Sequence, residues 1–254
     1  MVIGFESFRE HFKGYEDCYV IIGGTACDIL MGEANIDFRA TKDVDMVVLI
    51  EHRFELFAEV FWNYVKSGGY KYGWKGSEKI HFYRFTSPQQ RNFPAMIEIF
   101  SRRPEYQLDH PEIHLTPLHV SEEVSSLSAI MLDHDYYQLM LDGRRTLDGI
   151  SVLDTAYLIL FKAKAWMDLA EKKQSGMHVN DRDLRKHKND VFRLFTIMDP
   201  ATRITLPERV GDEMRGFLNA MMDLDADMTK LGMSGVSKND IINEFRVIYG
   251  IQEV

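Results

Sequence analysis

The chain has 254 residues, of which 45% are hydrophobic and 27% are charged, and its formal net charge is -9. This length supports a sizeable core, and the composition excludes disordered and fibrous proteins. The negative charge argues against a protein that coats nucleic acid nonspecifically, because that mode neutralises many phosphates with Lys and Arg. The sequence contains no apolar run of the roughly 18 to 20 residues needed to cross a bilayer. Its first residues, MVIGFESFRE, carry no visible secretory signal, so we expect a cytoplasmic protein.

The first half of the chain predicts alternating strands and helices. Residues 18–23, CYVIIG, are β-branched and apolar, which is typical of a buried strand. The following TACDILMG predicts a helix with Thr25 as its N-cap. Residues 43–50 predict a second strand, and the amphipathic segment 51–69 predicts a second helix. Further short strands are expected over residues 79–85, 95–100 and 127–132.

From about residue 153 the character of the chain changes, because apolar residues now recur with the helical period of 3.6. Helices are expected over residues 154–173, 183–198, 207–223 and 237–249. We therefore predict an α/β (α+β) domain with a mixed sheet over residues 1–150, followed by a helical C-terminal domain over residues 151–254.

Gly23 and Gly24 stand at the predicted junction of a strand and a helix. Glycines there let the backbone approach a phosphate closely, and the amide groups of the helix start point toward a bound anion. Thr25 adds a hydroxyl at the same place. The alternative is a plain strand-to-helix turn in which Thr25 only caps the helix.

Asp43 and Asp45 lie two residues apart on a predicted strand, so both side chains project from one face. Two like charges about 5 to 7 Å apart repel each other, which is costly unless a cation lies between them. Magnesium is the natural candidate, since it prefers oxygen ligands and is usually shared between carboxylates and substrate phosphates. The alternative is a solvent-facing polar edge of the strand.

Glu98 interrupts the otherwise apolar strand AMIEIF. A glutamate is seldom placed in such a run without a partner. An adjacent strand would bring Glu98 beside Asp43 and Asp45. A glutamate that is paired within the core or at the sheet edge is the alternative.

The runs IIGGTACDIL, RATKDVDMVV and MIEIF together resemble the nucleotidyltransferase superfamily, whose pattern is a glycine pair, an Asp-x-Asp strand and a third acidic strand residue. More narrowly, they are similar to the AbiEii/AbiGii type, which includes type IV toxins and the MenT group. Those proteins have a basic residue and a Ser or Thr shortly before the aspartates, and here Arg39, Thr41 and Lys42 fill that stretch. The match assumes an insertion around residues 31–38.

The resemblance extends into the helical half of the chain. LDTAYLILFKAKAW is similar to the family's lysine helix with Lys162 at the matching place, which implies an ammonium that reaches a triphosphate; a surface lysine is the alternative. DRDLRKHKNDVFRLF is similar to the acidic helix motif and offers Asp183, His187 and Asp190, of which Asp190 with His187 is the better match. Salt bridges within a charged helix are the alternative for all of them.

The resemblance implies a nucleotidyltransferase-like fold that binds a nucleoside triphosphate (NTP) between its domains and releases pyrophosphate. Asp43, Asp45 and Glu98 would hold one or two Mg²⁺ ions, or Glu98 would accept the proton of the attacking hydroxyl. The glycine corner and Lys162 would bind the phosphates. Arg84 would face the acceptor, with a structural strand arginine as the alternative.

The acceptor implied by the resemblance is RNA, such as the end of a tRNA, or a protein side chain. It also implies an antitoxin partner. Two other functions fit the same residues. One is a small-molecule enzyme of the aminoglycoside-modifying kind, and the other is a catalytically silent module that only binds nucleotide.

Overall fold

The structure, a computed structural model, describes residues 3–49, 53–75, 82–100, 130 and 133–252. These residues form two compact units. The first unit contains the described residues up to 100 together with residues 142–154, and the second contains residues 130, 133–141 and 155–252. The sequence predicted a single division near residue 150, whereas residues 133–141 group with the C-terminal helices.

The first unit is built around a mixed sheet. Its described elements in chain order are α1 (Phe5–His11), β1 (Tyr19–Ile22), α2 (Gly23–Glu33), β2 (Asp43–Val48), α3 (Phe54–Gly68), β3 (Lys71–Lys75), β4 (Phe82–Thr86), β5 (Met96–Phe100), β6 (Arg144–Leu147) and β7 (Ile150–Leu153). These seven described strands have the order β3-β4-β5-β2-β1-β7-β6. Strands β2 and β5 are parallel, as are β1 and β7, and the other neighbouring pairs are antiparallel. The mixed α/β architecture predicted from the sequence is therefore confirmed.

An aromatic core covers one face of this sheet. Phe8 of α1 lies edge-on to Tyr19 of β1 with ring centroids 5.7 Å apart, and Phe61 of α3 lies edge-on to Phe85 of β4 at 5.1 Å. All four rings are fully buried. Burying such a side chain contributes about 1.5 to 3 kcal/mol. Because this face of the sheet packs in the core, the charged residues of β2, β4 and β5 project from the other face.

Helix α2 begins earlier than the sequence predicted. It starts at Gly23, with Ile22 as the N-cap, so the prediction that Thr25 caps the helix was wrong. Gly23 has a φ of 69°, in the left-handed region that favours glycine. Thr25 is fully buried, and its hydroxyl donates a hydrogen bond to the main-chain oxygen of Asp43. This bond ties the first turn of α2 to the start of β2.

The second unit is helical, as predicted. Its described elements are α4 (His134–Asp142), α5 (Thr155–Gln174), α6 (Asp181–Phe195), α7 (Glu208–Asp223), a 3₁₀ turn (Thr229–Leu231) and α8 (Lys238–Ile248). Side-chain caps support two of these helices, because Asn180 accepts from the amide of Arg182 and Ser237 accepts from the amide of Asp240.

Some predicted elements reach outside the described residues. Residues 79–81 of one predicted strand and residue 50 of another lie outside them. The strand predicted over 127–132 also lies outside them, apart from Ile130, which is helical and buried. Within the described part of the chain, no helix is long and apolar enough to cross a membrane.

Candidate active site

Three neighbouring strands bring charged side chains into one row. Arg84 on β4 is the register partner of Glu98 on β5, and Glu98 is the register partner of Asp45 on β2. Register partners on adjacent strands project from the same face of a sheet. Asp43, two residues before Asp45, projects from that face as well. The predicted convergence of Asp43, Asp45 and Glu98 is therefore present, on the face opposite the aromatic core.

Arg84 compensates the charge of Glu98 within this row. Its Nε donates to Oε1 of Glu98 at 2.7 Å, and its Nη2 lies 2.6 Å from the same oxygen. The side chain of Glu98 is 5% exposed and that of Arg84 is 19% exposed. Burial raises the pKa of Glu98 above its ordinary value, and the charge of Arg84 opposes this rise. Arg84, predicted either to face an acceptor or to be structural, thus holds Glu98 in place.

The row of carboxylates meets the start of α2. A Cβ added at Gly23 would overlap Oδ2 of Asp45, so this carboxylate rests directly against the glycine backbone. A Cβ added at Gly24 would lie 3.0 Å from Oγ1 of Thr41 and 3.4 Å from Nη2 of Arg39. Glycine at both positions therefore lets three polar side chains approach the helix start. We call the main chain of Gly23 and Gly24 together with these side chains the glycine corner.

The glycine corner is suited to an anion. The first amide groups of a helix have no intrahelical acceptor, and the helix dipole makes this end positive. The N-cap residue is Ile22, which offers no side-chain acceptor to these amides. Arg39 adds a guanidinium and Thr41 adds a hydroxyl at the same place. A phosphate group matches all of these donors.

The donors beside this corner also fit a hard divalent cation. Asp43 and Asp45 are half-buried and supply carboxylate oxygens from one face of β2. Mg²⁺ is usually held by one or two carboxylates together with water and substrate phosphates. Among the described residues, no group of three or more His, Cys, Asp or Glu side chains is arranged to hold a metal. The fit is therefore with the two aspartates, and Glu98 as a third ligand stays a prediction.

A cavity of about 610 Å³ borders Asp43. Asp43, Thr41 and the exposed Lys42 line one part of it, and the connection between β4 and β5 lines another. The sequence predicts a loop containing Pro88 and Pro94 between these two strands. The Ser87-Pro88 pair indicates a turn there, but no local signal places that turn beside β2.

The second unit contains a buried ion pair. Nζ of Lys162 on α5 donates to Oδ2 of Asp190 on α6 at 3.2 Å, with the two side chains 4% and 0% exposed. Nη1 of Arg193 lies 3.9 Å from the other carboxylate oxygen. The lysine was predicted to reach a triphosphate, and the structure pairs it with Asp190. Its contact with a phosphate stays a prediction.

The remaining candidates of the acidic helix motif share one side of α6. Asp183, His187 and Asp190 have the spacing i, i+4 and i+7, which places them along one stripe. Asp183 is half-buried, whereas His187 is 2% exposed and Asp190 is fully buried. The better-matching pair, Asp190 with His187, is thus the more deeply buried one, and a role of any of the three in nucleotide binding stays a prediction.

Comparisons with known proteins give little to identify the chain. No protein-family profile and no curated protein matches it. A solved structure does match: the crystal structure of an antigenic nucleotidyltransferase-like protein from Paracoccidioides brasiliensis. The two chains are 16% identical, the match covers 91% of this chain and 90% of that chain, and the TM-score is 0.46. A TM-score below 0.5 is too low for this likeness to bear on function.

Proposed function

We propose that the chain is a metal-dependent nucleotidyltransferase, which transfers a nucleoside monophosphate from an NTP to a hydroxyl acceptor. One observation carries this proposal. Of the paired aspartates on β2, Asp45 lies directly against Gly23 at the start of α2, and the main-chain oxygen of Asp43 accepts a hydrogen bond from Thr25 in the first turn of that helix. A divalent cation and a polyphosphate are bound together in such a place, because the carboxylates attract the metal and the helix start attracts the phosphates.

The glycine corner would hold the polyphosphate. The amide groups at the start of α2 point along the helix axis toward it, and Arg39 and Thr41 add donors beside Gly24. The guanidinium of Arg39 also lies 5.0 Å from the ring centroid of Phe38. This stacking limits the rotamers of Arg39 and so lowers the entropy lost when a phosphate binds.

The carboxylate row would position the metal ligands. Asp43 and Asp45 would hold Mg²⁺, which when bound supplies positive charge beside the reacting phosphate. Glu98 is the register partner of Asp45 and is itself held by Arg84. Arg84 and Glu98 therefore act as positioning residues for Asp45.

The reaction forms one bond and breaks another. The hydroxyl oxygen of the acceptor forms a bond to the α-phosphorus, and the bond between that phosphorus and the oxygen bridging to the β-phosphate breaks. Pyrophosphate leaves with the bonding electron pair, and the proton of the hydroxyl passes to solvent water. The contribution of this chain is to orient the phosphates and neutralise their charge.

We further propose an AbiEii-type toxin as the narrower identity, supported by the placement of Arg39 and Thr41 against Gly24. A toxin of this kind stops growth when it is produced in a bacterial host. The expected result is arrested growth with the wild-type chain and normal growth with Asp43→Asn at equal protein level. Normal growth with both chains would leave the general activity intact but remove the toxin proposal.

The general activity is tested by label transfer. The protein is incubated with each NTP labelled at the α-phosphate, with Mg²⁺, and with separate pools of RNA, protein and small hydroxyl compounds. Label in one pool identifies the class of acceptor. We expect Asp43→Asn to lower labelling at least about 100-fold, since it removes a metal ligand worth several kcal/mol of transition-state stabilisation. The matched control is Asp37→Asn, an exposed aspartate upstream of β2; equal labelling by all three proteins would refute the proposal.

A further inference from the structure

We propose that the cavity beside Asp43 is the acceptor site and that it selects an acceptor carrying a phosphate group close to its hydroxyl. This inference rests on the proposed function and names its substrate class. The cavity has a volume of about 610 Å³, which is within the usual range for small-molecule sites. We call it the acceptor cavity.

The acceptor cavity lies next to the carboxylate row. Thr86 on β4, Met96 on β5 and Asp43 on β2 are successive register partners, and all of them line the cavity. They form the row adjacent to the one containing Glu98 and Asp45, on the same face of the sheet. Asp43 therefore borders both the proposed metal site and the cavity.

Gly23 and Gly24 follow β1, which is one neighbour of β2, whereas the cavity extends from β2 toward β5 and β4 on the other side. Thr41 borders both the glycine corner and the cavity. In an in-line displacement the attacking and leaving oxygens lie on opposite sides of the phosphorus. A triphosphate bound at the corner would thus release pyrophosphate on one side and receive the acceptor hydroxyl from the cavity.

The wall of the acceptor cavity is held in place before any ligand binds. The amide of Gln89 donates to the main-chain oxygen of Gly68 at the end of α3 at 2.9 Å, and the hydroxyl of Tyr70 donates to the oxygen of Pro94 at 2.6 Å. The ring of Phe93 packs 4.7 Å from a tyrosine ring of α3. A wall fixed in this way loses little conformational entropy on binding, as expected of a preformed site.

The charges of the cavity indicate the chemistry of its ligand. Lys42 and Arg91 line it and are both exposed, and Asp43 is the one carboxylate among its described lining residues. Because that aspartate is assigned to the metal, the cavity presents net positive charge to an acceptor. It attracts a phosphate and repels a polycationic amino sugar. Phe93 and Met96 provide an apolar surface for a planar ring, so a nucleotide fits better than an aminoglycoside.

The first test measures binding without turnover. Fluorescence anisotropy reports the binding of a labelled five-nucleotide RNA with a free 3′-hydroxyl, and competition adds AMP, adenosine or an aminoglycoside. We expect RNA and AMP to bind, and adenosine to bind at least about tenfold more weakly because it lacks the phosphate. RNA that binds far more tightly than AMP would identify a strand end as the acceptor, and equal affinities would identify a free nucleotide. An aminoglycoside that displaces the probe as well as AMP does would overturn the proposal.

The second test assigns the phosphate contact to Arg91. Arg91→Ala should weaken RNA binding about tenfold and raise the acceptor KM with the NTP KM unchanged, and Arg91→Lys should restore most of the effect. The control Lys71→Ala removes one exposed charge from the edge strand β3 and should change neither value. Binding unaffected by Arg91→Ala overturns the inference while label transfer by the wild type upholds the proposed function. If RNA binding depends on Arg91 but the wild type transfers no label, the cavity binds the phosphate as inferred and the proposed function is overturned.

Discussion

Replacing Lys162 by methionine tests whether the lysine is primarily a structural partner of Asp190. The substitution keeps a long apolar side chain but leaves a fully buried carboxylate, with a guanidinium nitrogen of Arg193 3.9 Å away. Removing one member of a buried ion pair costs about 3 to 5 kcal/mol, because the other charge stays buried without compensation. We therefore expect Lys162→Met to lower the free energy of unfolding of the helical unit by about that amount.

The matched rescue replaces both charges. In Lys162→Met combined with Asp190→Leu both charges of this pair are removed, so the free energy of unfolding should return to within about 1 kcal/mol of the wild type. Urea denaturation followed by far-UV circular dichroism measures these values, with a separate transition fitted for each unit if two are seen. If Lys162→Met alone lowers the free energy of unfolding by less than about 1 kcal/mol, pairing with Asp190 is not the main role of Lys162. If the double variant is stable but no longer binds NTP, Lys162 or Asp190 also takes part in nucleotide binding.

Further outcomes concern the glycine corner, the carboxylate row and the metal. Gly23→Ala should destabilise the protein by about 1 to 3 kcal/mol, because it places a Cβ at positive φ against Asp45. The control Gly32→Ala lies in the same helix, where the added Cβ meets open space, and it should raise the melting temperature slightly. Arg84→Met should cost about 3 kcal/mol in thermal unfolding, and adding Glu98→Gln should recover most of it; no recovery would show that the cost lies elsewhere. Adding EDTA should abolish NTP binding in calorimetry, and Mg²⁺ should restore it; binding that persists in EDTA would rule out a metal requirement.

The parts of the site that follow from alternation along a strand could be predicted from the sequence. Asp43 and Asp45 had to share a face once β2 was recognised, and the apolar neighbours of Glu98 placed that side chain opposite the core. The structure adds that the two strands are parallel neighbours with Asp45 and Glu98 in register. The helices α5 to α8 of the second unit were also predictable, because apolar residues recur in them with the helical period, whereas α4 was not predicted.

Other parts depend on contacts between distant residues, for which a local pattern gives no signal. The hydroxyl of Thr25 bonds to the main chain of Asp43, and this partner was invisible to a capping pattern that spans four residues. The pairing of Arg84 with Glu98 depends on the register of the antiparallel strands β4 and β5 across a connection of nine residues.

Helix α1 was missed although a signal was present. Phe5, Phe8 and Phe12 have the helical spacing i, i+3 and i+7, and all three are buried. The segment is short, with Gly4 and Gly14 on either side, and its helix has only 7 residues. Its stability comes from aromatic packing on the sheet rather than from its own propensity.

The most direct test of the central claim is the release of pyrophosphate from NTP in the presence of Mg²⁺ and the acceptor pool. The wild type and Asp37→Asn should release it at similar rates, and Asp43→Asn and Asp45→Asn should each be slower by at least about 100-fold. Release that is unchanged in both variants, or absent from the wild type with every NTP, would contradict a nucleotidyl-transfer site at the paired aspartates.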